Sequence, residues 1–400
     1  MITLAPLGEP ASYHLSSTKA ERSLLQIRNM RTLAKQNLED IVVGCSFLGT
    51  GGGGSFARGL QRVYEDLQAG LTFKLMSPEE MQDDDYAAAT YGVGSTAPPT
   101  DEQKQRYAKL PHIAEKSTTA AFRLLQRYMQ KNFVATIAGE IGPGNTIAAM
   151  SAAAHIGIAQ LDADTVGRAA LEIDQNAVLA AGLAITPAAG VTQYGDEMIL
   201  PKVATTSREE DLFRAASMVS MGIGVADTPL AGKDAKRKGV LVQGSISHAE
   251  EVGRAYRAAI EANQDVIQAV VHAGHGYRLF EGRISGFQWK DEGGYLVGDV
   301  DISGSGKYQG SIFKIAYKNE NLVSWRDGTF SVTCPDLITM VIKESAKAIS
   351  NPDFEKGQEV IVIGFPSPPN WRTPRGIELF GPKPFGFDTP YIPIEQMQWT

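Results

Sequence analysis

From Gly49 to Gly54 every residue except Thr50 is glycine. Such a run lets the backbone take positive φ angles and lets another group approach without meeting a Cβ, at an entropic cost that an ordinary surface loop avoids. An apolar run, Ile41 to Leu48, enters the glycines, and a helix-like segment from Ser55 to Leu67 leaves them. Two arrangements satisfy this pattern. One is a tight crossing of two elements. The other is a ligand cradle, in which N–H groups of Thr50 and Gly51, Gly52, Gly53 and Gly54, with the positive end of the following helix, face an anion or a developing oxyanion.

Two nucleotide motifs can be tested on the loop. Gly54 is followed by Ser55-Phe56 and not by the Lys of a phosphate-binding P-loop, so no nucleotide triphosphate is expected. Gly49, Gly51 and Gly54 satisfy G-x-G-x-x-G, but a glycine run does so cheaply. The next strand candidate, Leu71 to Met76, ends in Ser77-Pro78 before its acidic residues Glu79 and Glu80. A dinucleotide-dependent oxidoreductase is therefore the alternative to the reading developed below.

The chain has 400 residues, 43% hydrophobic and 21% charged, enough for two domains with sizeable cores. A net charge of −7 argues against general nucleic-acid binding and against an anionic membrane surface. No apolar run reaches the length of a membrane span. Two cysteines, Cys45 and Cys334, make no disulfide framework, and no signal-peptide pattern opens the sequence, so a cytoplasmic protein is expected. A homo-oligomer is left open.

Residues 1–19 read as a surface arm and Lys19 to Gln36 as a charged helix. Beyond the glycines, strand candidates (Leu71–Met76, Tyr86–Val93, Phe133–Ile137, Ile158–Leu161) alternate with helix candidates (Ser55–Leu67, Ile113–Lys131, Asn145–His155). This predicts an α/β domain with a mostly parallel sheet. The helix candidates Glu209–Met221 and Ser247–Glu261, around an apolar strand Val240–Val242, continue it. From His272 the period changes to two, with strands expected at Tyr277–Ile284, Gly294–Ile302, Ser311–Tyr317, Leu322–Trp325, Thr329–Thr333 and Glu359–Phe365, and one helix, Asp336–Ile349, inserted. The expected division is an α/β domain over 1–268 and a smaller β-rich, barrel-like domain over 269–400.

Each early strand candidate, the run into the glycines included, ends in an unusual loop: Gly49–Gly54, Gly92-Val93-Gly94-Ser95-Thr96, Gly139-Glu140-Ile141-Gly142-Pro143-Gly144-Asn145, and Asp162-Ala163-Asp164. Ligands of open α/β sheets bind beyond the carboxyl ends of the strands, so these loops are expected to line one crevice. Asp162 and Asp164 offer a base or metal ligands, and Arg168 and Glu172, one helical turn apart just beyond, a cationic clamp and a further carboxylate. A helix N-cap is the competing role for either Asp. Glu140, a carboxylate among glycines near an apolar sheet, suits acid–base work, and Asn145 shares its loop. His272 and His275, three apart at the domain junction, would join the Asp pair in a site for zinc or another divalent metal. Cys45, three residues before the loop in sequence order of the apolar run, is a nucleophile candidate, with an inert buried thiol the commoner fate.

Leu48-Gly49-Thr50-Gly51-Gly52-Gly53-Gly54, then Ala138-Gly139-Glu140, then Asp162-Ala163-Asp164-Thr165-Val166-Gly167-Arg168-Ala169 resemble the S-methyl-thiohydantoin desulfurase family, long catalogued as a domain of unknown function. Glu281-Gly282-Arg283-Ile284, Asn319-Glu320-Asn321-Leu322, Pro335-Asp336-Leu337-Ile338 and Gly381-Pro382-Lys383-Pro384-Phe385-Gly386-Phe387-Asp388 follow in the family's order, so the resemblance runs from about Leu38 to Glu395. One departure follows Ala169, where Ala170-Leu171-Glu172 alters the wall facing the substrate. The resemblance implies two domains, α/β then β-rich, and hydrolytic removal of sulfur from a thiohydantoin ring. It also implies a setting beside hydantoinase and oxoprolinase subunits, and hence, as another alternative, a non-catalytic partner subunit. On this reading Asp162 or Asp164 activates water, with or without a metal, Gly51–Gly54 meet the developing anion, Arg168 holds an acidic substituent, and Glu140 passes protons to the leaving group.

Overall fold

The computed structural model describes residues 30–94 and 101–397. Most of the expected Lys19–Gln36 helix, and Ser95 and Thr96 of the second loop, lie outside the described residues. The helices that bear on the site are Lys35–Leu48 (α1), Phe56–Gln68 (α2), Ser117–Met129 (α3), Asn145–Ile156 (α4), Thr206–Met218 (α5) and Ser245–Glu261 (α6).

A nine-stranded sheet comprises Arg31–Thr32 (β1), Lys74–Met76 (β2), Tyr86–Val93 (β3), Phe133–Ala138 (β4), Ala159–Asp164 (β5), Ala188–Thr192 (β6), Glu197–Leu200 (β7), Ile223–Ala231 (β8) and Val242–Gln243 (β9). Its order is β1-β2-β5-β4-β3-β8-β6-β7, with β9 pairing β5 off this path. The neighbours β2-β5-β4-β3 run parallel and form its centre. β8 is antiparallel to both β3 and β6. The central strands are built largely from small and branched residues that are buried on both faces, as parallel strands covered by helices require.

The run Ile41–Leu48 is the second half of α1, not a strand. Leu38, Ile41, Val42 and Cys45 recur at helical spacing and are all buried, while the first turn is polar. That face lies on α6 at a close crossing. A Cβ on Gly44 would come within 1.7 Å of the Ala249 carbonyl oxygen, and one on Gly253 within 1.8 Å of the Asp40 carbonyl oxygen, so only glycine lets the two backbones meet. Arg257 of α6 donates to both carboxylate oxygens of Asp40, each at 2.9 Å, across the same contact.

The second sheet has seven antiparallel strands: Tyr277–Glu292 (β10), Tyr295–Gly304 (β11), Ile312–Lys318 (β12), Glu320–Arg326 (β13), Thr329–Thr333 (β14), Leu337–Ile342 (β15) and Glu359–Phe365 (β16). They are ordered β14-β13-β12-β11-β10-β16-β15, and the sheet curls until β15 at one end lies against β13 and β14 at the other. Its interior holds Phe280, Val300, Ile302, Phe313, Ile315, Met340 and Val362. The expected helix Asp336–Ile349 is instead β15 followed by a turn. Its six residues Leu-Ile-Thr-Met-Val-Ile pair along their whole length with β16, and β-branched residues fully enclosed on a sheet favour that pairing over a helix.

Candidate active site

The glycine loop joins α1 to α2, two helices, so the strand–loop–helix context of a dinucleotide fingerprint is absent. Instead the loop is where three parts of the chain meet. The Thr50 carbonyl accepts Asn321 N–H of β13 (2.8 Å), the Gly51 carbonyl accepts Asn351 N–H (2.8 Å), and the Gly53 carbonyl accepts Gly144 and Asn145 N–H at the start of α4 (2.9 and 3.1 Å). A Cβ on Gly53 would sit 2.4 Å from Gly142 Cα, so the loop after β4 and the glycine loop touch through bare backbone. Of the loop's donors, Gly52 N–H is spent on the Gly49 carbonyl (2.8 Å) and Gly53 N–H on Glu320 Oε1 (3.4 Å). Within the expected cradle, the Gly52 and Gly53 N–H groups therefore serve the loop itself and the carboxyl group of Glu320.

Beside this junction lies a cavity of about 1060 Å³ whose walls come from both sheets' connections. Gly51–Gly54, Glu140, Asn145, Thr165, Val166, Glu172 and Glu320 are among its lining residues. Two of the four expected loops reach it, through Gly51–Gly54 and through Gly139, Glu140, Gly144 and Asn145, and a third does so through Gly92, Val93 and Gly94. The fourth, Asp162-Ala163-Asp164, contributes no lining residue, although Thr165 and Val166 directly beyond it do.

Glu140 sits where its sequence position suggested. It is buried, Oε1 accepts Asn145 Nδ2 (2.6 Å), and Oε2 accepts Ala170 N–H (2.7 Å). Asn145 is itself fixed, its Oδ1 accepting Gly92 N–H at 3.1 Å. Burial raises the Glu140 carboxyl to about 7, against these two hydrogen bonds, which favour the ionised form. Glu320, the first residue of β13, is the partner that sequence reasoning missed. It is buried over the glycine loop so closely that a Cβ on Gly52 would meet its Oε1 at 2.0 Å. Its Oε2 accepts no hydrogen bond, and burial together with the charge of Glu140 pushes its carboxyl well above the ordinary range. The Asn319-Glu320-Asn321 motif was the available signal, though nothing local ties it to Glu140.

The other expected residues have different work. Asp162 lies outside the cavity lining and caps α6, its two oxygens accepting Ser247 N–H (2.9 Å) and Ser247 Oγ–H (2.6 Å). Asp164 is wholly buried, and its Oδ2 accepts Val166 and Gly167 N–H at 2.9 and 2.5 Å, which shapes the turn into Arg168; burial raises it to about 6. Arg168 is also wholly buried and is no clamp for a ligand, since all its donors are taken by protein oxygens. One of these is Thr50 Oγ1 (2.7 Å), so the Thr50 side chain is likewise withdrawn from the cavity. Glu172 lines the cavity but is paired with Lys318. Lys318 and Arg214 cover the Tyr295 ring at 4.0 and 3.9 Å from its centroid, latching the far wall.

His272 and His275 do not reach the cavity. His272 faces a separate shallow cleft with Asp265 and Gln268, and the His275 ring lies parallel to His248 at 6.3 Å. Neither converges with Asp162 or Asp164, and no group of three or more His, Cys, Asp or Glu arranged to hold a metal ion occurs among the described residues, so the expected donor set does not fit a metal. Cys45 is wholly buried, and burial pushes its thiol up to about 12, the opposite of nucleophile activation.

Four basic residues line the cavity, Arg58, Arg62, Arg214 and Lys347, and two of them adjoin the glycine loop. Arg58 and Arg62 lie on the first turns of α2, directly beyond the glycines. Among the described residues neither has a carboxylate within ion-pair distance, and Arg62 is half-buried, which lowers its pKa through desolvation. No helix among the described residues is long and apolar enough to cross a membrane.

Comparison with known proteins agrees with the motif order. The profile of the S-Me-THD-like N-terminal domain matches residues 36–202, and that of the S-Me-THD-like C-terminal domain matches residues 204–394. No curated protein matches the chain. A crystal structure of a structural-genomics protein from Chromobacterium violaceum shares the fold, with a TM-score of 0.73 and 19% identity over 91% of this chain and 100% of that one. With both domain profiles matched in succession across nearly all of its length, the chain belongs to the S-Me-THD-like family, the S-methyl-thiohydantoin desulfurase family that its motifs resemble.

Proposed function

We propose that the protein hydrolyses the carbon–sulfur bond of a thiohydantoin or S-alkylated thiohydantoin ring, with Glu140 and Glu320 as its acid–base pair. The observation that carries this reading is the pairing itself. Two buried carboxyl groups line one cavity, one poised near neutrality and the other pushed well above the ordinary carboxyl range by burial and by the charge of the first. Groups held in different protonation states by their surroundings are the arrangement that acid–base hydrolysis needs.

In the proposed reaction a water molecule is deprotonated by ionised Glu140 as its oxygen bonds to the ring carbon that bears sulfur. Glu320 supplies a proton to the ring nitrogen or the departing sulfur, the carbon–sulfur bond breaks, and the carbon keeps the new oxygen as a carbonyl. Both water protons end on the products. From an S-methyl ring one goes to the ring nitrogen and one to methanethiol, and from an unalkylated thiohydantoin both leave with hydrogen sulfide. Transfer between the two carboxyl groups resets the pair. Arg62, with Arg58 nearer solvent, takes the role first assigned to Arg168 and attracts an anionic ring substituent.

The test is thiol release, followed with a thiol-reactive chromophore, from a panel of S-methylated and unalkylated thiohydantoins. Wild-type protein is expected to release thiol and Glu320→Gln to do so roughly 10²–10⁴-fold more slowly. No release from any ring, or an unimpaired Gln variant, overturns the proposal.

A further inference from the structure

Arg168 holds a positive charge in the protein interior that the cavity chemistry never touches. Its guanidinium has five N–H donors and all five are used. Nε donates to the Ala169 carbonyl (3.0 Å), Nη1 to the carbonyls of Pro335 (3.1 Å) and Asp336 (2.8 Å), and Nη2 to Thr50 Oγ1 (2.7 Å) and the Asn321 carbonyl (2.9 Å). The Phe380 ring, 5.0 Å from Cζ, lies against the guanidinium. Every acceptor is neutral, and no carboxylate lies within ion-pair distance of Arg168 among the described residues. Burying a cation without an ionic partner is expensive, and neutral carbonyls leave its field uncancelled.

That field falls on the carboxyl pair, and Arg168 is tied to the backbone of the residue that follows each member. Its own carbonyl accepts Ile141 N–H (3.2 Å), the residue after Glu140, and Ala170 two residues on donates to Glu140 Oε2. On the other side its guanidinium grips the carbonyl of Asn321, the residue after Glu320. The remaining ionisable groups around it are Asp336, Cys334 and, beyond Glu140, Asp164. Asp336 is already served by Arg372 (3.4 Å), by Tyr391 OH (2.9 Å) and by the N–H groups of Ser367 and Ile394. The Cys334 thiol stays neutral because burial pushes it up to about 12.

We propose that Arg168 is a positioning residue: the fixed counter-charge that lets the Glu140–Glu320 pair carry a single negative charge, while its grip on Thr50 and Asn321 keeps the glycine loop against β13. This rests on reading Glu140 and Glu320 as the acid–base pair. Without the cation, both carboxyl groups keep their protons to higher pH, and the base form of Glu140 becomes scarce at neutrality.

The experiment titrates Glu140 directly, without substrate, by the infrared carbonyl band of its protonated form, identified through its loss in Glu140→Gln. Arg168→Gln is expected to raise the titration midpoint by about 1–2 pH units, and the acid limb of kcat/KM with it. Arg168→Lys keeps the charge but not the five-point grip, and Thr50→Val removes one contact; both are expected to lower the thermal midpoint and leave the titration where it is. A purely structural strut lowers the thermal midpoint in all three and moves the titration in none, so an unmoved midpoint in folded Arg168→Gln overturns the proposal. If that variant does not fold, Arg168→Met, which removes the charge and keeps an apolar stem of similar length, is titrated in its place: a raised midpoint supports the counter-charge and an unmoved one overturns it. Should wild-type protein release no thiol from any ring, the proposed reaction fails, while the infrared titration still tests Arg168.

Discussion

Replacing Glu140 by Gln separates the cost of its charge from the value of its hydrogen bonds. Both carboxylate oxygens accept, one from Asn145 Nδ2 and one from the backbone N–H of Ala170. The Ala170 donor cannot turn, so a Gln side chain gives it the amide oxygen and presents its NH₂ to Asn145. Asn145 must then flip to accept, which costs Gly92 N–H its partner at 3.1 Å. The loss is one hydrogen bond, about 1 kcal/mol. Against it stands the charge. Burial raises Glu140 from 4.5 to about 7, which penalises the folded state by about 3 kcal/mol once the group is ionised in both states. The sign follows from linkage. A raised carboxyl contributes no penalty below its unfolded value, and the penalty grows as pH rises through the folded value. Glu140→Gln is therefore expected to match wild type to within about 0.5 kcal/mol at pH 5, where the two effects nearly cancel, and to be more stable by about 2 kcal/mol at pH 8.5, falling below wild type only as pH drops under about 4.5. Thiol release should fall roughly 10²–10⁴-fold at every pH. Denaturant unfolding at the two pH values and the release assay check both parts. A variant equally destabilised at pH 5 and 8.5 would refute the account of the buried charge, and one with undiminished release would remove Glu140 from the chemistry.

Gly52→Ala places a methyl group 2.0 Å from Glu320 Oε1, so thiol release is expected to fall by at least about 10²-fold with a stability loss of about 1–3 kcal/mol, whereas Gly286→Ala, whose Cβ meets nothing within 4 Å, should leave release unchanged. Simultaneous His272→Ala and His275→Ala should leave release at the wild-type rate, because neither ring reaches the cavity; a loss measured in steady-state assays would return them to the site. Wild-type stability should peak at mildly acidic pH and decline towards pH 9, since burial raises Asp164, Asp227 and Glu209 as well as Glu140; a melting temperature that rises over that range contradicts the shifts.

The alternation of strands and helices revealed β3, β4, β5 and the helix α4, because their apolar runs are long and bounded by glycine or polar turns. The convergence of Gly51–Gly54 with Glu140 and Asn145 was legible for the same reason: strand-end loops of a parallel sheet share one edge. The run Ile41–Leu48 misled because a buried helix segment and a buried strand look alike over eight residues. Central β8 was not recognised, since Ile223 to Ala231 contains Gly, Asp and Pro within its nine residues and no regular period. Asp162 and Arg168 have the composition of catalytic groups, and only tertiary structure shows the first spent on Ser247 and the second enclosed by carbonyls from β13 and the turn before β15. Glu320 reaches the cavity that Glu140 lines because β13, formed far along the chain, is bonded to the glycine loop through Asn321 and Thr50, a relation that no local pattern encodes.

The central claim, that water replaces sulfur on a ring held between Glu140 and Glu320, is tested most directly with ¹⁸O-labelled water. Wild-type protein turning over an S-methyl-thiohydantoin should yield a hydantoin with one ¹⁸O at the carbon that bore sulfur, matched mole for mole by methanethiol, and Glu140→Gln should suppress both products together. Methanethiol without ¹⁸O in the ring, or labelled hydantoin formed at the same rate in Glu140→Gln, would contradict it.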